Sequence, residues 1–312
     1  MRILVLGAGG IGGYFGARLH SAGGDVTFMV RPARAKNLAD NGLRVSSVFG
    51  DIAMTPKIIT AIDNPADFYD VIVLSCKAYD LDAALDSIAP AVGPNSVILP
   101  LLNGVAHLDV LDAKFGKDQV LGGVAHLSVA LAPSGEIAHL NSIHRIIIGA
   151  RHTANAKVVA TLAELFTKTG VDFILSETIE QDMWDKLIFI TTLAGATCTM
   201  RANVGEILNT LSGEAFIIGL LEECQKVAAS NHRASDPAQI LVYRNQLTDR
   251  NSKLMASMLR DIERNGPTEA DHIVGDMVRR ADASAISIPI LDLAYSHLQA
   301  YDQARKRHAA IS

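Results

Sequence analysis

The chain opens Met1-Arg2-Ile3-Leu4-Val5-Leu6-Gly7-Ala8-Gly9-Gly10-Ile11-Gly12, and the reading of this stretch decides the fold. Arg2–Leu6 is an apolar run of strand length that ends in glycine, too short for a signal peptide. Gly7 to Gly12 then match G-x-G-x-x-G and open a segment of helical composition, Gly12–Ala22. In that setting Gly7 permits a tight turn, Gly9 lets a pyrophosphate approach the backbone, and Gly12 lets the helix pack closely on the strand. The first N–H groups of the helix, those of Gly10 and Ile11 among them, favour an anion. A strand, this loop and a helix together predict a dinucleotide-binding βα unit.

Working outward, Val26–Val30, Val71–Ser75, Val97–Leu101 and Val120–Gly122 read as further strands, with helices over Ala33–Asp40 and Leu81–Ala89 between them. Continuous apolar strands such as Val71-Ile72-Val73-Leu74 suit a sheet covered on both faces, and the alternation implies a parallel, doubly wound sheet. Gly123–Ala132, Glu136–Leu140 and His144–Gly149 read as extended, with a turn at Pro133-Ser134-Gly135, and as antiparallel strands on one side of that sheet. A helix over Asn155–Thr169 and a strand over Val171–Leu175 close this half. From Glu177 onward only helical patterns follow. The expected fold is therefore α/β: a Rossmann-type doubly wound domain over 1–176 and an all-helical domain over 177–312.

Composition narrows the function classes. Of 312 residues 49% are apolar and 20% charged, with a formal charge of −5, which offers no basic footprint for nucleic acid or for a membrane. Cys76, Cys198 and Cys224 lie far apart, which fits reduced thiols in a cytoplasmic protein and neither a disulfide framework nor a zinc site. Leu187–Met200 is charge-free but too short to span a bilayer, so it reads as a buried core helix. No spacing matches a metal motif, and the pairs Glu222-Glu223 and Asp261/Glu263 read as solvated helix faces.

Where a dinucleotide's adenosine ribose should lie, at the end of the second strand, NAD enzymes usually carry Asp or Glu. Here Arg31 and then Arg34 follow Val30, and an arginine suits a ribose 2′-phosphate. Lys77 and Asn103, the latter beside Gly104, each follow a strand at its carboxyl end, where ligands bind in open α/β sheets. From the residues alone Lys77 reads equally as surface charge and Asn103 as a turn former. Lys186 reads as an exposed helix residue.

Taken together the residues resemble the ketopantoate reductase (2-dehydropantoate 2-reductase) family. The resemblance runs through Gly7–Gly12, Arg31, Cys76-Lys77-Ala78, Asn103-Gly104, Trp184-Asp185-Lys186-Leu187, Ser257-Met258-Leu259 with Asp261, and Thr268-Glu269. It implies NADP-dependent reduction of a small 2-oxo acid in a cleft between a Rossmann domain and a helical domain, a place in pantothenate biosynthesis, and a cytoplasmic enzyme without nucleic-acid or membrane partners. A homodimer is compatible with it. By the same resemblance Lys186 is the general acid and Glu269 holds the substrate hydroxyl. Ser257 and Asn103 contact the substrate, and Lys77 and Asn103 lie at the cofactor, together with Gly7, Gly9, Gly10, Ile11, Gly12 and Arg31.

The chain departs from the family at one face. The family carries asparagines four and eight residues after its lysine, and these positions share a helix face. Here that face reads Lys186, Ile190, Ala194, so the substrate wall is apolar. Arg201 is a candidate carboxylate anchor in compensation. Three readings follow: a 2-oxo acid reductase (ketopantoate reductase or a paralogue for a more apolar substrate), an oxidoreductase of the same plan for a 3-hydroxy acid or imine, and a non-enzymatic NADPH sensor. The joint presence of Lys186 and Glu269 speaks against the sensor, because folding does not require the pair.

Overall fold

The computed structural model describes residues 1–64 and 67–309. Its strands are β1 (Arg2–Leu6), β2 (Asp25–Met29), β3 (Leu43–Ser46), β4 (Ile52–Met54), β5 (Lys57–Ile59), β6 (Val71–Leu74), β7 (Val97–Pro100), β8 (Gly122–His126), β9 (Val129–Leu131), β10 (Ile137–His139), β11 (Arg145–Gly149) and β12 (Asp172–Ser176). The helices among them are α1 (Gly10–Ser21), α2 (Pro32–Asn41), α3 (Leu81–Ile88), α4 (Ala106–Phe115) and α5 (Ala156–Phe166). Seven more follow: α6 (Ile179–Met200), α7 (Val204–Leu208), α8 (Gly213–Ser230), α9 (Pro237–Leu247), α10 (Ser257–Glu263), α11 (Asp276–Ala283) and α12 (Pro289–Ala309). Two compact units result, one of residues 1–103 and 107–182, the other of residues 104–106 and 183 onward.

In the first unit a five-stranded sheet runs in the order β5-β2-β1-β6-β7, every pair parallel. β6 and β7 are buried along their whole length, which is why they read as unbroken apolar runs. The register sets Leu6 level with Met29 and Leu74, and Leu74 level with Pro100. Gly7, Arg31, Lys77 and Asn103 therefore leave the sheet along one edge. Two smaller sheets complete the unit, β4-β3-β10-β9 and β12-β11-β8.

The small sheets depart from the sequence reading. Val120–Gly122 is not a strand of the main sheet: Val120 makes only an isolated bridge to Ile98, and the chain then joins β11 from Gly122. Gly123 allows this exit, since a Cβ there would fall 2.6 Å from the Pro100 carbonyl oxygen. Gly123–Ala132 is likewise two strands in different sheets, and the added sheets contain parallel pairs, β10 with β3 and β11 with β12, beside the antiparallel ones.

The second unit contains helices and connecting turns, with no strand among its described residues. Glu223 corrects the expectation of a solvated acidic face. It is buried, and its carboxylate accepts the backbone N–H groups of Ile290 (3.1 Å) and Leu291 (2.7 Å), capping the start of α12 from the middle of α8. An acidic group at a helix N-terminus satisfies donors that have no intrahelical partner. Cys198 and Cys224 are buried, and burial pushes both thiols up to about 12, so both pack as inert apolar groups. Among the described residues no helix is long and apolar enough to cross a membrane.

Candidate active site

At the sheet edge the glycine loop has the shape a pyrophosphate needs. Gly7 sits at φ +90°, open to glycine and strained for other residues. A Cβ at Gly12 would meet the Ser75 hydroxyl oxygen at 2.3 Å and the Gly7 carbonyl oxygen at 2.5 Å, so α1 packs on the strands with no room for a side chain. Gly9, the N-cap of α1, has nothing within 4 Å of its Cβ position and lies in extended backbone that any residue can adopt. The space over Gly9 and the first-turn N–H groups of Gly10 and Ile11 form a cradle that a Cβ would fill, and it fits a dinucleotide phosphate. Gly9→Ala is thus expected to leave the unfolding free energy within ~0.5 kcal/mol of wild type while weakening dinucleotide binding about tenfold or more. Gly12→Ala is expected to cost ~1–3 kcal/mol of stability by overpacking. Denaturant titrations with binding calorimetry on the same samples separate the two.

Arg31 and Arg34 take different parts. Arg31 caps α2 ahead of Pro32, and its side chain, 78% exposed, pairs with Asp80 at 3.1 Å. Arg34 turns inward. Its Nε and Nη2 donate to the Ala8 carbonyl at 3.2 and 3.0 Å, and its Nη1 donates to Asn37 Oδ1 at 2.6 Å. Gly135 at φ +88° lets the Pro133–Gly135 turn close on this pair, where a Cβ would collide with both side chains. Arg34 therefore buttresses the glycine loop and Arg31 faces outward.

Lys77 is extended and its carbonyl accepts the Asp80 N–H, starting the single 3-10 turn Ala78–Asp80 that leads into α3. Asn103 is part-buried in the loop after β7. Next to it Gly104 lies at φ +88°, with its Cβ position 3.1 Å from the ring of His272.

In the helical unit each residue of Trp184-Asp185-Lys186-Leu187 has an assigned place. Trp184 is buried under the Arg280 guanidinium, 5.0 Å from its ring centre, and Arg280 is itself held by the buried Asp276 at 2.8 Å. Asp185 accepts the Ser235 hydroxyl at 2.5 Å, and Leu187 is in the core. Lys186 is left facing inward between these anchors. Burial pushes its ammonium down to about 8, against the opposing pull of the Glu269 carboxylate. A lysine poised there can give up a proton near neutrality.

Glu269 is buried at the approach to α11. Thr268 fixes it by donating its hydroxyl to Asp302 of α12 at 2.7 Å and accepting the Ala270 N–H at 3.4 Å. Behind it Asp271–Gly275 form one π-helical turn, a feature concentrated at functional sites. Asp271 takes the Tyr295 hydroxyl at 2.6 Å and Arg279 at 2.9 Å. His272, three residues after Glu269, lies on this turn against Gly104, and burial holds its imidazole below the ordinary range despite Glu269.

The structure brings Lys186 and Glu269 together and places Ile190 and Ala194 along the Lys186 face, Ile190 part-buried and Ala194 buried. Ser257 is exposed at the first residue of α10, whose preceding Ala256 N–H donates to Thr197 of α6 at 3.3 Å. Arg201 lies well apart from Lys186 along the α6 axis. Helix α6 runs unbroken to Met200, which sets Arg201 about 22 Å along the axis from Lys186. Its guanidinium stacks on Tyr301.

Comparison with known proteins identifies the family. The ketopantoate reductase PanE/ApbA family model matches residues 3–153, and the model of that family's C-terminal domain matches residues 178–302. The chain belongs to the ketopantoate reductase family. It is an oxidoreductase acting on a C=O/CH–OH pair. An uncharacterized oxidoreductase of Bacillus subtilis (strain 168), YkpB, is 36% identical over 302 residues, covering 97% of this chain and 99% of its own. The crystal structure of 2-dehydropantoate 2-reductase from Methylococcus capsulatus matches with a TM-score of 0.86 at 25% identity, over 98% of both chains. A D-mandelate dehydrogenase in complex with NADH and anilino(oxo)acetate shares the fold with a TM-score of 0.89 at 21% identity, over 98% of this chain and 99% of the other.

Proposed function

We propose that this protein is an NADPH-dependent reductase of a 2-oxo acid whose side chain is less polar than that of ketopantoate. The observation that carries the reading is Lys186, an inward-facing ammonium lowered to about 8 and coupled to the buried Glu269. The nicotinamide, when bound, supplies a hydride to the carbonyl carbon. Reduction builds negative charge on the carbonyl oxygen, and Lys186 stabilises that charge and delivers the proton that completes the alcohol. Glu269 keeps the ammonium oriented and accepts the hydroxyl of the substrate. Gly7, Gly9, Gly10, Ile11 and Gly12 cradle the phosphates, and Lys77 and Asn103 extend the cofactor side from the same sheet edge. Ser257 is assigned to the substrate, as Asn103 is, and Ile190 and Ala194 form the apolar wall beside Lys186. A panel of 2-oxo acids with graded side chains, assayed with each nicotinamide cofactor, tests the reading. Turnover should rise with apolar bulk, and no turnover with any member would sink it.

Arg31 supports NADPH as the partner, since a guanidinium at the end of β2 suits a 2′-phosphate. Arg31→Ala is expected to weaken NADPH binding about tenfold, the cost of a charge-assisted hydrogen bond, and to leave NADH binding within twofold. Calorimetric titration of both cofactors at fixed salt checks it, and an equal response of the two would remove Arg31 from the ribose site.

A further inference from the structure

Asp80 has an unusual orientation for its place in the chain. It is the N-cap of α3, where an aspartate ordinarily turns its carboxylate onto the free N–H groups of the first turn. Asp80 makes no such side-chain cap. The Ala78–Asp80 turn, closed by the Asp80 N–H on the Lys77 carbonyl at 2.9 Å, presents the carboxylate to Arg31, with Oδ2 3.1 Å from Nη2. Arg34, the other arginine after β2, cannot replace Arg31 there without releasing the Ala8 carbonyl and Asn37.

We propose that Asp80 is a cofactor-selectivity residue that opposes Arg31, so that a 2′-phosphate must displace an ion pair already formed. The inference rests on the reading of Arg31 as the ribose 2′-phosphate contact. Two effects act in the same direction. The guanidinium is pre-engaged by a carboxylate, and that carboxylate repels a phosphate arriving beside it. A free ribose hydroxyl carries no charge and suffers neither. The pair is partly exposed, Arg31 at 78% and Asp80 at 38%, so the effect is moderate and sensitive to salt. Preference for NADPH over NADH is then set by the balance of two residues and is narrower than Arg31 alone would give.

Calorimetry with the full chain and the fragments 2′,5′-ADP and 5′-ADP tests this without turnover. Asp80→Asn keeps the size of the side chain and removes its charge. It is expected to tighten 2′,5′-ADP about three- to tenfold and to leave 5′-ADP within twofold, the gain shrinking at ~1 M salt, where the Debye length is about 3 Å. Unchanged 2′,5′-ADP affinity in Asp80→Asn, with Arg31→Ala still weakening it, would overturn the role of Asp80 alone. Unchanged affinity in Arg31→Ala would overturn the ribose assignment and this inference with it. Equal tightening of both fragments would show general electrostatics and also overturn selectivity.

Discussion

Lys186→Ala is expected to lower kcat at least a hundredfold while NADPH affinity stays within a few-fold of wild type, the range that loss of a positioned general acid produces. In the proposed mechanism the effect falls on kcat, because a general acid interacts most strongly with the oxyanion that develops during reduction. The surrounding anchors make the loss specific. Trp184 under Arg280, Asp185 on Ser235 and Leu187 in the core also hold α6 in place. Unfolding curves of the variant show whether the fold survives. The pH profile gives a second reading of the same residue. With its ammonium lowered to about 8, Lys186 carries its proton below that pH and loses it above, so reduction should decline as pH rises through about 8. The reverse oxidation, which needs the neutral amine as base, should rise over the same interval. Retention of more than about a tenth of wild-type kcat, or a reduction rate flat through that interval, would assign the acid to another group.

How much of this was legible in the sequence depended on how local the signal was. β1, the glycine loop and α1 could be read directly, because an apolar run, a turn and a helix each leave their own pattern in consecutive residues. β3, β4 and β5 escaped, being three or four residues long, too short for alternation to show. The helix α4 escaped as well, since its buried positions are His107, Leu108 and Leu111, a weak apolar stripe with a histidine in it. At the site, the loop glycines carried their roles in their spacing. Lys186 did not, because a lysine inside a helix ordinarily faces water, and only the motif around it pointed elsewhere. Glu223, Asp80 and Arg34 share one reason for being misread or missed. Each acts on a partner distant in sequence, on α12, on Arg31 and on Ala8 respectively, and no periodicity records such a pairing.

The proposed substrate wall, Ile190 and Ala194 on the Lys186 face, gives the other large expected effect. Ketopantoate should be a poor substrate for the wild type, and Ile190→Asn together with Ala194→Asn should raise kcat/KM for it by about thirtyfold or more, since each restored polar contact is worth ~1–3 kcal/mol. The argument is one of differences. An apolar wall gains nothing from a hydroxyl it cannot hydrogen-bond, yet it recovers roughly 25 cal/mol for each Å² of apolar substrate it covers. A bulkier, less polar 2-oxo acid should therefore lose rate in the double variant as ketopantoate gains it, and this crossing cannot come from general damage to the enzyme. The two positions will not respond alike. Ile190 is part-buried, so an asparagine there keeps access to a ligand or to water. Ala194 is only 3% exposed, so its asparagine must find partners among packed side chains or cost ~1–3 kcal/mol of stability. Ile190→Asn alone should consequently deliver most of the gain, with the second substitution adding less than its share. Steady-state kinetics of the wild type and both variants on the two substrates decides the matter. Efficient wild-type reduction of ketopantoate, at ~10⁴ M⁻¹s⁻¹ or above, would mean that groups other than this face hold the substrate hydroxyl, and the preference for an apolar side chain would fall.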